Sequence, residues 1–220
     1  NGFRLDGVTA DDRLGDSVSN AGDVNGDGCD DLLVGAAFAD PNGNYSGASY
    51  VLFGKAAGFS AEVDLSSLDG SNGFRLDGEK ANDMAGSSVS NAGDVNGDGF
   101  DDLIIGAPEN MASPYNDHSG SSYVIFGKAS GFEAVMDLSS LNGSNGFSLN
   151  GMAGDTLGSS VSGAGDVNGD GFDDLIIGAF GVDSNGYGSG FSYLMFGKAS
   201  GFATTLDLAA LDGSNGLRLD

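Results

Sequence analysis

The chain has 220 residues with 32 Asp and Glu against 8 Lys and Arg, a net charge of −24. Such a charge repels nucleic acid and anionic membranes, so neither is expected as a partner, and no apolar run approaches the roughly 18 residues of a membrane-spanning helix. Forty glycines could signal disorder, but 40% hydrophobic content with 14 Phe argues for a packed core, and one Cys excludes an intrachain disulfide.

In chain order, the first element is Asn1-Gly-Phe-Arg-Leu-Asp6, with Phe and Leu on one face and charge on the other, a strand pattern. Related segments return at Asn72, Asn145 and Asn215. Next comes a Ser-Val-Ser segment with alternating polarity at Ser17, repeated at Ser88 and Ser160. It leads into AGDVNGDG, which begins at Ala21 and recurs at Ala92 and Ala164, a spacing of 71 and 72 residues. An apolar run follows each time, at Leu32, Leu103 and Leu175, and suits a strand buried on both faces. A third strand ends in Phe-Gly-Lys at Phe53, Phe126 and Phe196. No segment sustains a 3.6-residue period, and the Leu-Asp-Leu-Ser-Ser-Leu type of segment offers one helical turn at most.

Four short strands per unit, with Gly, Asn and Asp turns between them, is the pattern of a propeller blade, which needs neighbours to cover its faces. The chain is therefore expected to be all-β. Its units are expected at about 7–77, 78–150 and 151–220, with 1–6 a strand belonging to a preceding or neighbouring blade. The start within a pattern, with no initiator Met and no signal peptide, is expected of a processed or excised piece of a longer protein.

The acidic loops carry the chemistry. Counted from the first Asp, positions 1, 3, 5 and 9 are Asp23, Asn25, Asp27 and Asp31 in the first loop. They are Asp94, Asn96, Asp98 and Asp102 in the second, and Asp166, Asn168, Asp170 and Asp174 in the third. Position 7 is Cys29, Phe100 or Phe172 and is expected to offer its backbone carbonyl, so its side chain is free to vary. Hard oxygen donors in this number suit Ca²⁺, and Gly at position 6 permits the tight turn. Without a cation the cost is high, since two charges about 4 Å apart interact by roughly 4 kcal/mol at an effective dielectric near 20. Three Ca²⁺ sites are expected, one per unit; Mg²⁺, which demands a strict octahedron with several waters, fits less well. The competing reading is a solvated Asp/Gly turn. An EF-hand is disfavoured because position 12 is Val34, Ile105 or Ile177, not a carboxylate. The nonapeptide of calcium-binding β-rolls is absent.

The order GxSVSxAGDVNGDGxDDLxxGA followed by GxxYxxFG resembles the FG-GAP repeat of integrin α-subunits and their bacterial secreted relatives. The FG element is degenerate at Leu14-Gly15, Ala85-Gly86 and Leu157-Gly158, and the GAP element is complete only at Gly106-Ala107-Pro108. The resemblance implies a β-propeller with one Ca²⁺ per acidic loop, opposite the usual ligand surface, and an extracellular role in adhesion or recognition. Three blades do not close a ring. Two readings of that shortfall stay open: further repeats of a longer chain, or self-association through the terminal strands into a ring, fibre or surface layer.

No catalytic constellation is expected, and an enzyme or enzyme accessory domain is the least favoured class. The single His, His118, lies in a loop, and Cys29 reads as a small apolar filler. The loops between the second and third strands differ between units and carry Tyr45, Tyr115 and Tyr187. They are either ordinary surface loops or a docking place for a protein or glycan ligand.

Overall fold

The computed structural model describes residues 2–109, 118–181 and 189–220. The protein is all-β and built from stacked propeller blades. In the first blade, β2 (Val18–Gly22), β3 (Asp31–Ala36), β4 (Ala48–Leu52) and β6 (Gly73–Asp77) pair antiparallel in that spatial order. The second blade repeats this with β7 (Ser88–Gly93), β8 (Asp102–Ala107), β9 (Ser121–Ile125) and β11 (Gly146–Asn150). The third uses β12 (Leu157–Gly165), β13 (Asp174–Ala179), β14 (Phe191–Met195) and β16 (Gly216–Leu219).

The central strands β3 and β8 are almost wholly buried because apolar layers cover both of their faces, whereas β13 has such a layer on one face only and leaves Ile176 half-buried on the other. One layer lies between the first two blades around Leu33, Phe74, Leu103 and Ile105. A second lies between the last two around Ile104, Phe147, Leu175 and Ile177. A third covers the other side of the first blade, around Tyr50, Leu52 and Leu65, with Phe3, Leu5 and Phe59 packed on it.

Beside its four antiparallel strands, each unit carries one element that the sequence pattern did not show. Each unit also has a short strand before its helical turn: β5 (Glu62–Asp64), β10 (Val135–Asp137) and β15 (Thr205–Leu206). Each pairs parallel with the last strand of the blade before it: β10 with β6, β15 with β11, and β5 with β1 (Arg4–Asp6). The first two blades are therefore five-stranded sheets. The reason is a switch of sheet. The chain leaves one blade, adds a strand to its predecessor, and returns through a single 3₁₀ turn. Asp64, Asp137 and Asp207 cap those turns by accepting the backbone N–H two residues on.

This crossing is anchored by aromatic stacking. Phe132, from the second unit, stacks on Phe74 of the first blade with ring centroids 4.7 Å apart and planes 10° apart. Phe202 repeats the contact on Phe147 at 4.8 Å and 4°, and Phe59 meets Phe3 at 4.4 Å. Lys55, Lys128 and Lys198 each lay an ammonium within 5 Å of the ring of Phe59, Phe132 and Phe202 in turn.

Candidate metal centre: three acidic loops

The acidic loops join β2 to β3, β7 to β8, and β12 to β13. They lie at one end of the sheets. The loop after β3, which carries Tyr45, lies at the other end, where β8 and β13 also end. Left-handed glycines make the turns possible: Gly28, Gly99 and Gly171 sit at φ 87°, 89° and 93°, where a Cβ would be strained.

Within each loop the side-chain oxygens are held by backbone amides in the same way. In the second loop, Asp94 accepts from the N–H groups of Asp98 (3.0 Å) and Gly99 (2.8 Å). Asn96 Oδ1 also accepts from Asp98 N–H (2.8 Å), and Asp98 Oδ1 accepts from Phe100 N–H (3.0 Å). The first loop repeats this with Asp23, Asn25 and Asp27, and the third with Asp166, Asn168 and Asp170.

Position 9 is different. Asp31, Asp102 and Asp174 are fully buried at the start of the central strands. Each spans two segments: Asp102 accepts from Val95 N–H (3.0 Å) and Gly127 N–H (2.9 Å), tying the loop to the turn after β9. Asp31 does so with Val24 and Gly54, and Asp174 with Val167 and Gly197. Burial pushes the Asp31 carboxyl up to about 6 and that of Asp102 up to about 8; in each case the amides pull back and the neighbouring loop carboxylates add to the rise.

Positions 1, 3, 5 and 9 thus lie in, or directly after, the loop that joins the first two strands of each blade. The donor set is all oxygen, and among the described residues no loop carboxylate is paired with a Lys, Arg or His. That chemistry fits a hard cation. Among the described residues, no three His, Cys, Asp or Glu side chains are drawn together as a cage, because the carboxylates turn toward amides of their own loop.

Two features of the loops escaped the sequence reading. The first is Asp at position 8. Asp101 Oδ2 accepts from Asp23 N–H (2.7 Å), and Asp173 Oδ2 accepts from Asp94 N–H (2.9 Å), so this residue latches each loop onto the one before it. The second is the side chain at position 7. Phe100 lies over Gly26 and Phe172 over Gly97, where any Cβ would collide with the ring. Among the described glycines, Cys29 lies against Gly54 and not against a glycine of another acidic loop. Position 7 is therefore a packing residue between loops, and Phe and Cys are not equivalent there.

At the opposite end, Tyr45 is 44% exposed and packs edge-on against Phe38 at 5.3 Å. Tyr115 and Tyr187 lie outside the described residues. His118 Nδ1 lies 2.8 Å from Glu109 Oε2 in a half-exposed pair.

The repeat geometry agrees with comparison to known proteins. A profile of the FG-GAP repeat matches residues 14–52, 85–125 and 157–195, together more than half of the chain. The protein belongs to the FG-GAP repeat family. It is similar to integrin alpha-4 of Xenopus laevis, 30% identical over 164 residues, which is 74% of this chain and 14% of that protein. Integrin alpha-V of Gallus gallus is 32% identical over 165 residues, again 74% of this chain and 14% of the other. Integrin alpha-5 of Xenopus laevis is 32% identical over 176 residues, 78% and 15%. The FG-GAP array thus spans only about a seventh of the length of these relatives. No helix among its described residues is long and apolar enough to cross a membrane.

Proposed function

We propose that this FG-GAP array is an extracellular calcium-binding propeller module with a role in adhesion or recognition, and not an enzyme. The observation that carries the reading is the acidic loop, written three times with one hydrogen-bond scaffold, all-oxygen donors and no paired cation. Asp23, Asn25, Asp27, Asp31 and the Cys29 carbonyl would hold the first Ca²⁺. Asp94, Asn96, Asp98, Asp102 and the Phe100 carbonyl would hold the second, and Asp166, Asn168, Asp170, Asp174 and the Phe172 carbonyl the third. The cation supplies charge neutralisation to carboxylates that otherwise repel. The protein's part is to place those oxygens: the left-handed glycines fold the loop, and the buried Asp at position 9 anchors it to the sheet. On this reading the units are 7–77, 78–150 and 151–220, with 1–6 completing another blade. A protein or glycan ligand would use the variable loops at the far end of the sheets, away from the calcium loops.

Calcium then acts as a folding ligand. A site filled at a hundred times its Kd adds about 2.7 kcal/mol, which for a chain of this size raises the melting temperature by roughly 5–10 °C per site. Thermal melts in excess calcium and in chelator test this. The expected result is a large drop in chelator, with Asp27→Ala, Asp98→Ala and Asp170→Ala each reproducing part of it. Superimposable melts would overturn the proposal.

A second reading, self-assembly through the terminal strands, draws on the pairing pattern. Among the described residues β1 pairs only with β5, and β16 only with β14. Deleting residues 1–6 should abolish such assembly, and unchanged particle size would reject it.

A further inference from the structure

The first two acidic loops are each gripped at three points by the unit that follows. At position 1, Asp23 N–H donates to Asp101 Oδ2 as described, and Asp94 N–H to Asp173 Oδ2. At position 2, the Val24 carbonyl accepts from Lys128 N–H and the Val95 carbonyl from Lys198 N–H, both at 3.0 Å. At position 4, Phe100 covers Gly26 and Phe172 covers Gly97. The latching carboxylates sit over Gly22 and Gly93, left-handed residues (φ 74° and 72°) where a Cβ would collide with the carboxyl group.

The loop's own blade holds a different part. Its tie is the buried Asp at position 9, which accepts from Val24 and Gly54 N–H in the first blade and from Val95 and Gly127 N–H in the second. The Phe-Gly-Lys turn divides the two tasks residue by residue. Gly127 N–H goes to Asp102 of its own loop, and Lys128 N–H goes to Val24 of the preceding loop. Three of the four side-chain donors of each of these two sites thus lie on the arm that the next unit grips: Asp23, Asn25 and Asp27 in one, Asp94, Asn96 and Asp98 in the other.

We infer that Asp101 and Asp173 are positioning residues for the cation sites of the preceding loops: the affinity of the first site is set from the second unit, and that of the second site from the third. This rests on the calcium reading above. The physical route is preorganisation. A loop whose position-1 Asp is already fixed at its amide loses less freedom when the cation binds. The latching carboxylate also adds negative charge beside a site of which it is not a ligand. Each of these sites is then complete only when two units are docked, and by linkage a bound cation tightens the junction in return.

The N–H groups of Gly28, Gly99 and Gly171 each donate to the position-1 Asp of their own loop, so their amide resonances report the three sites separately. Nuclear magnetic resonance titration with calcium chloride reads them in the wild type, Asp101→Ala, Asp173→Ala and Asp101→Asn. In Asp101→Ala the midpoint at Gly28 should rise about tenfold, the worth of one charge-assisted hydrogen bond, with a smaller change at Gly99 in the loop that carries the substitution. Asp173→Ala tests the same claim at the other junction and should move Gly99 more than Gly171. Asp101→Asn keeps an acceptor and should bring the Gly28 midpoint back to within about threefold of the wild type. A merely structural role lowers stability without sorting the midpoints in this way. Equal shifts at all three glycines, a larger shift at Gly99 than at Gly28 in Asp101→Ala, or unmoved midpoints would overturn the inference and leave calcium binding standing. Glycine resonances that ignore calcium in the wild type would remove the calcium reading, and this inference with it.

Discussion

At the scale of the residue, two aspartates of the same loop do opposite work. Position 9 stands out in the sequence as the last Asp before the apolar run, and its burial, with two accepted backbone amides, explains why it begins that strand. Position 8 is not legible, because its partner is a backbone amide 79 residues earlier in the case of Asp173 and 78 in the case of Asp101. Within an acidic loop such a residue reads as solvated. The structure sorts the three copies by consequence. Asp101→Ala should cost about 1–2 kcal/mol, the worth of a charge-assisted hydrogen bond to an amide that is then left unpaired. Asp30→Ala should cost less than about 0.5 kcal/mol, since Asp30 makes only a long 3.5 Å contact with Asn20 among the described residues. Denaturant midpoints decide, and equal costs would contradict the latch. Asp83 is another buried aspartate that the sequence did not mark. It caps the turn before β7 by accepting Lys80 N–H at 3.1 Å, while its Oδ1 has no partner. Burial pushes its carboxyl from 3.8 up to about 6. A raised native value means that the folded chain takes up the proton before the unfolded chain does. This group's penalty is therefore absent below about pH 4, grows between about 4 and 6, and is complete above 6. Asp83→Asn should flatten that part of the stability profile and raise stability at pH 7 by about 1 kcal/mol; an unchanged slope would contradict the assignment.

At the scale of the element, the antiparallel blade strands were readable because alternation, apolar runs and turn residues repeat three times. The parallel strands β5, β10 and β15 were not. Each has two or three residues, too few for a period to show, and each pairs with the preceding blade. Their sequence trace is the Gly-Phe that follows each Phe-Gly-Lys: Phe59, Phe132 and Phe202. Phe132 holds β10 against the first blade through Phe74 and through Phe53, whose ring lies 5.3 Å away. Phe132→Ala should cost about 2–3 kcal/mol, below the full value for a buried Phe because the ring is partly exposed. Phe59→Ala should cost less, since Phe59 meets one ring, Phe3, where Phe132 meets two, Phe53 and Phe74. The comparison of urea midpoints checks this, and the reverse order would contradict it.

At the scale of the whole molecule, blades, loops and junctions form one repeated device. Each of the first two acidic loops sits where its own strands meet the next blade. Its amides hold the carboxylates in place, its Asp at position 9 fixes it to the sheet, and its carbonyls receive the next unit. A cation bound there would strengthen the blade and the junction together, as expected of a quasi-one-dimensional array in which each repeat depends on its neighbours. Loss of one site should therefore weaken binding at the adjacent site as well. The direct measurement is a calorimetric calcium titration of the wild type and of Asp98→Ala. The account predicts three sites in the wild type. In the variant it predicts the loss of the middle site and weaker binding at the others. No binding heat in the wild type, or an unchanged titration in the variant, would contradict it.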